Sequence, residues 1–76
     1  MCGIIGIASN KLVASNIINS LKKLEYRGYD SAGIATLFKN EINEVKSKGR
    51  VDNLENNLLV QKMDGTIGIG HVRWAT

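Results

Sequence analysis

The chain has 76 residues and a formal net charge of +3, from 10 Lys and Arg against 7 Asp and Glu. That length allows one small domain with a thin core, since even ~60 residues bury only about 60% of their unfolded surface. With no Pro and a single Cys there is no disulfide framework or Cys-rich metal site, and the scattered charge and few aromatics leave no footprint for nucleic acid.

Cys2 to Ala8 is an apolar run interrupted by Gly3 and Gly6, and it reads as a buried strand bounded by Ser9 and Asn10. The run is far shorter than the ~20 residues that cross a bilayer. It also lacks the basic flank of a signal peptide. Position 2 is Cys instead of Gly, which excludes N-myristoylation. A cytoplasmic chain without membrane partners is expected.

Ser9 or Asn10 is placed to cap a following helix. Val13, Ile17, Leu21 and Leu24 recur at spacings of four, four and three, which predicts a helix over 13–24. Lys22 and Lys23 in its last turn suit the helix dipole. Glu25 to Gly33 reads as a loop, with Gly28, Asp30, Ser31 and Gly33 as breakers. Ile34 to Phe38 and Ile42 to Ser47 form a predicted hairpin around Lys39, Asn40 and Glu41. Val51, Leu54, Leu58 and Leu59 lie on one stripe of a second helix. After the Asp64-Gly65 turn, Thr66 to Val72 is a strand. Its alternation puts Ile67, Ile69, His71 and Arg73 on one face, and Gly68, Gly70 and Val72 on the other. The order is strand, helix, strand, strand, helix, strand, an α+β pattern.

Several residues are candidates for chemistry. Met1 precedes a small side chain, the setting in which initiator methionine is normally removed, which would join a thiol and a free α-amine in Cys2. An α-amine titrates near ~7.7–8.0, so part of it is neutral at pH 7 and able to accept the thiol proton. Taken alone, Cys2 reads first as a small buried residue opening a strand. His71 has no companion ligands for zinc, and a Cys2–His71 dyad is redundant beside the α-amine. Gly68-Ile69-Gly70 is no dinucleotide fingerprint, because Arg73 stands at the third glycine position. Arg27 lies among small residues and glycines, either beside a ligand or on a solvated turn. Arg73 beside Trp74 offers a planar fork for a carboxylate next to an aromatic wall, or else simply passes a core Trp.

Three strings stand in register: Cys2-Gly3-Ile4-Ile5-Gly6, Leu24-Glu25-Tyr26-Arg27-Gly28-Tyr29-Asp30-Ser31-Ala32-Gly33, and His71-Val72-Arg73-Trp74-Ala75-Thr76. Together they resemble the class II glutamine amidotransferase domain of the N-terminal-nucleophile hydrolases. Within that group they are most similar to the start of the isomerising glutamine–fructose-6-phosphate aminotransferases. The resemblance implies a type-2 amidotransferase domain over residues 1–76, on the first part of a four-layer α/β/β/α sandwich of two antiparallel sheets. It implies Cys2 as the nucleophile on a glutamine side-chain amide, with Arg27 and Gly28 flanking it. It implies Arg73 as the clamp on the glutamine α-carboxylate, and Trp74 and Thr76 in the loop that closes over substrate. L-glutamine is then the ligand, with no cofactor and no metal.

The same family has an Asn-Gly oxyanion pair, an Asp for the glutamine amino group, a second sheet and a sugar-phosphate domain, none of which these 76 residues contain. Asn56-Asn57 is no substitute for the Asn-Gly pair. The resemblance therefore implies a truncated domain, inactive alone, whose sheet shows an apolar face. The alternatives are a subunit completed by another chain and a non-catalytic binding module.

Overall fold

The computed structural model describes residues 2–27 and 30–74. Strand β1 (Gly3–Ala8) leads to helix α1 (Ala14–Leu24), which closes in a short 3-10 turn over Glu25–Arg27. Strands β2 (Ser31–Phe38) and β3 (Glu41–Lys48) form a hairpin. Two short helices follow, α2 (Val51–Glu55) and α3 (Leu58–Gln61), and then strand β4 (Ile67–Arg73). The four strands make one antiparallel sheet in the order β1-β4-β2-β3, so the last strand slots between the first and the hairpin. The α+β class and the element order expected from the sequence are both present.

Hydrophobic burial dictates which face the helices cover. Val13, Ile17 and Leu21 from the first helical stripe, with Ile18 beside them, share one core with Ala32, Ile34, Val45 and Val72 from the sheet, and Val51, Leu54 and Val60 close the side. The approach is close because β4 presents glycines there. A β-carbon added at Gly70 would lie 2.5 Å from Ile17 Cγ2, and one at Gly68 would lie 2.8 Å from Ile17 Cδ1. Thr36 is the buried polar residue of this layer, and its hydroxyl donates to the Asp64 carbonyl at 2.7 Å. Thr36→Val keeps the shape but removes that donor, and is expected to lower stability by ~1 kcal/mol in urea unfolding.

Four local expectations change. Ser9 and Asn10 do not cap α1. The residue before the helix is Val13, which has no side-chain cap, while the Ser9 hydroxyl accepts from Lys11 N in a tight turn. β2 begins at Ser31 instead of Ile34, because Ser31 to Gly33 already pair with both β3 and β4. The hairpin turn is two residues long: Lys39 and Asn40 take φ of 51° and 65°, and Glu41 already pairs with Phe38. The second helix is divided at Asn56-Asn57. The Asn57 side chain accepts from Leu59 N at 2.8 Å and starts a new helix, so Val51 and Leu54 are buried while Leu58 and Leu59 are exposed.

Charge ties α1 to α2. The Lys22 ammonium meets Glu55 at 2.7 Å and Asp52 at 3.8 Å. The hydrogen bond to Glu55, helped by the carboxylates around it, pushes the Lys22 pKa above its ordinary value.

The other face of the sheet is uncovered among the described residues. Ile4, Ile67, Ile69, Leu37 and Ile42 project from it, with Ile4 77% and Ile42 75% exposed. An exposed apolar surface of this kind marks an interface or an aggregation liability.

Candidate functional site

The N-terminal end of β1 and the C-terminal end of β4 lie side by side. Gly3 pairs with Val72, and the register continued by one step sets Cys2 opposite Arg73. Cys2 is exposed, with a free thiol. Alternation along β1 assigns Cys2 to the same open face as Ile4, while Arg73 shares that face with Ile69. The thiol and the guanidinium predicted to act on one substrate therefore belong to adjacent strand ends on one side of the sheet.

The segment carrying Arg27 is drawn to the same corner. A β-carbon at Gly3 would touch Leu24 Cδ1 at 3.0 Å, so the end of α1 packs directly on the start of β1. The Trp74 indole N–H donates to the Leu24 carbonyl at 2.9 Å, and the Tyr26 ring meets Trp74 edge-on with centroids 6.4 Å apart. Leu24 ends an α-helix, so its carbonyl lacks an intrahelical partner and the indole supplies one. Glu25 Oε2 accepts from Val51 N at 3.1 Å and fixes the other side of the turn to α2. Arg27 closes this braced 3-10 turn. Gly28 and Thr76 lie outside the described residues, as does Met1.

Arg73 has a partner in Asp30, which in the sequence stands only as a loop breaker. Arg73 Nη1 donates to Asp30 Oδ2 at 3.0 Å, and Asp30 N donates to the Arg73 carbonyl at 2.8 Å. Nothing in the spacing of Asp30 and Arg73 announces the pair; only the β2–β4 register joins them.

His71 lies opposite Ile4, two positions along from the Cys2 step. A Cys2–His71 dyad would therefore have to bridge a diagonal of ~7–8 Å across the strands. The His71 ring instead lies across Gly33, where a β-carbon would fall 2.5 Å from Nε2. Gly33 is thus the gap that the imidazole fills. Among the described residues, no three His, Cys, Asp or Glu side chains gather as metal ligands.

Comparison with known proteins aligns the whole chain with isomerising glutamine–fructose-6-phosphate aminotransferases. The chain is 54% identical over all 76 residues to a glutamine–fructose-6-phosphate aminotransferase (isomerising) of Mesorhizobium japonicum. It is 55% identical over the same length to that of Clostridium acetobutylicum. The chain is homologous to the N-terminal segment of these aminotransferases. It spans about an eighth of their length, 12% in each case. No family model matches the chain.

The solved structures agree on the fold. One described as the allosteric regulatory enzyme of purine biosynthesis superposes with a TM-score of 0.86 at 28% identity, covering 100% of this chain and 16% of that one. The glutamine phosphoribosylpyrophosphate amidotransferase of B. subtilis, complexed with ADP and GMP, gives 0.82 at 25% identity, covering 99% and 16%. The single sheet with its helices therefore matches part of a class II, N-terminal-nucleophile amidotransferase domain, as the aminotransferase homology does. No helix among the described residues is long and apolar enough to cross a membrane.

Proposed function

We propose that residues 1–76 form the nucleophile-bearing portion of a type-2 glutamine amidotransferase domain, that they act in the cytoplasm, and that these residues alone do not turn over glutamine. The observation that carries this is the β1–β4 pairing of Gly3 with Val72, whose continuation by one step sets Cys2 opposite Arg73 at one end of the sheet. With Met1 removed, the Cys2 α-amine accepts the thiol proton. The thiolate adds to the side-chain amide carbon, the C–N bond breaks as the amine proton passes to the leaving nitrogen, and ammonia departs. Water then cleaves the thioester to glutamate. Arg73 holds the α-carboxylate, Trp74 and Thr76 belong to the covering loop, and Arg27 and Gly28 flank the nucleophile.

The tetrahedral intermediate needs donors for its oxyanion. The Asn-Gly pair expected for that role has no counterpart, since no Asn in the sequence is followed by Gly. Loss of one such donor typically costs ~10²–10³ in rate. The exposed apolar sheet face supports a second reading, in which further polypeptide packs there and completes the site.

The test is covalent labelling with a glutamine-analogue electrophile, alongside an ammonia-release assay. The 76-residue chain is expected to be labelled at Cys2, to lose labelling on Cys2→Ser, and to release no ammonia from glutamine. Turnover by the chain alone would refute the inactivity, and labelling that survives Cys2→Ser would refute the nucleophile. Turnover gained on adding the remainder of an amidotransferase domain would establish the second reading.

A further inference from the structure

We infer that Asp30 is a positioning residue for the carboxylate clamp, holding the Arg73 guanidinium in its binding orientation before ligand arrives. The inference rests on the reading of Arg73 as that clamp.

Asp30 is itself held firmly. Its N–H donates to the Arg73 carbonyl and its carbonyl accepts from Gly49 N, both at 2.8 Å. The next residue, Ser31, pairs with Lys48 on one side and Arg73 on the other. The Asp30 backbone is thus fixed where the ends of three strands meet, and its carboxylate starts from a defined point. From there Oδ2 takes Arg73 Nη1 at 3.0 Å. Among the described residues this is the only side-chain bond of Arg73, so Nε and Nη2 remain for a ligand carboxylate.

Stability does not explain the pair. Both side chains are exposed, Arg73 by 69% and Asp30 by 44%, and exposed ion pairs contribute little to folding. Orientation does explain it. A free Arg side chain loses rotamer freedom when it binds a ligand, whereas one already held has little left to lose. The arrangement also carries a cost, because the Asp30 charge repels an incoming carboxylate. The two effects predict opposite outcomes on substitution, which makes the role testable.

The experiment measures Cys2 alkylation in the 76-residue chain with Met1 removed. For each variant, the rate with an electrophile bearing the glutamine α-amino-acid group is divided by the rate with a neutral haloacetamide. Arg73→Ala is expected to lower this ratio on the order of tenfold or more, by removing a charged, bidentate partner. Asp30→Ala is expected to lower it about three- to fivefold, the range of an exposed charge pair. Asp30→Asn is expected to stay within about twofold of wild type, because its amide oxygen still accepts from Nη1. Asp30→Ala in an Arg73→Ala background is expected to change nothing further. Asp30→Ser serves if the alanine variant does not fold.

A ratio that rises or stays constant in Asp30→Ala, while Arg73→Ala lowers it, would overturn the inference and leave the clamp intact. A wild-type chain with no preference for the amino-acid electrophile, unaffected by Arg73→Ala, would overturn the clamp and the inference together.

Discussion

Gly70→Ala is expected to cost about 3 kcal/mol, a large share of the stability a chain of this size has, and to lower its melting temperature steeply. The added methyl would sit 2.5 Å from Ile17 Cγ2 and 3.1 Å from Leu21 Cδ1, and both of those side chains are fully buried. Neither neighbour has space to retreat. The backbone cannot move either, because Gly70 is paired with Ile5 on one side and Ile34 on the other. Gly6→Ala is the matched control. It lies on the open face, where the new carbon would meet Ile69 Cγ2 at an ordinary 3.8 Å. Thermal unfolding followed by circular dichroism should show the first variant unfolded or far less stable, and the second close to wild type. Ile17→Ala in the Gly70→Ala background removes the clashing Cγ2 atom, so the double variant should be more stable than the sum of the single losses predicts. Equal melting of Gly70→Ala and wild type would mean that α1 does not press on β4 as described.

Much of this packing was legible in the residues. Alternation along 66–73 assigns Gly68, Gly70 and Val72 to one face, and that face is the one α1 covers. The stripe through Val13, Ile17 and Leu21 identifies the helix that does so. Periodicity fails where a side chain competes with the backbone. Asn57 caps a new helix and turns Leu58 and Leu59 outward, although their spacing from Val51 and Leu54 fits one stripe. Ser31 to Gly33 look like breakers, yet pairing on both edges makes them strand. Tertiary pairing overrides local propensity at both places.

The candidate site divides in the same way. The residue types at Cys2, Arg27 and Arg73 carry their chemistry in the sequence, and the motif strings bring the family resemblance. The placing of Cys2 and Arg73 on adjacent strand ends depends on β4 inserting between β1 and β2, a long-range choice that no local pattern encodes. Asp30 and Glu25 were missed for the same reason. Their partners, Arg73 and Val51, lie 43 and 26 positions away in the chain.

Trp74→Ala is expected to destabilise the chain by about 3 kcal/mol, and Trp74→Phe by about 1 kcal/mol. The resemblance assigns Trp74 to a loop that closes over substrate, but its surroundings give it a second task. The ring packs against the core and against Tyr26, and its N–H satisfies the Leu24 carbonyl at the end of α1. Alanine removes all three contacts, whereas phenylalanine loses only the hydrogen bond. Because Tyr26 adjoins Arg27 and Trp74 adjoins Arg73, the alanine variant also frees two site segments from each other. Labelling of Cys2 by a glutamine-analogue electrophile should fall in Trp74→Ala, together with the melting temperature. In Trp74→Phe the ring still joins those segments, so labelling should fall far less. A Trp74 that served only as a lid would behave differently. Alanine would then lower labelling while leaving the melting temperature unchanged, and phenylalanine would be neutral in both. Tryptophan fluorescence adds an independent readout, since Trp74 is the single Trp of the chain. In the wild-type chain its emission should shift to the red in one step with the loss of helical circular dichroism, as required of a side chain that ties α1 to the sheet. A red shift well before the helical signal is lost would show that the tether opens independently of the fold, as a lid does.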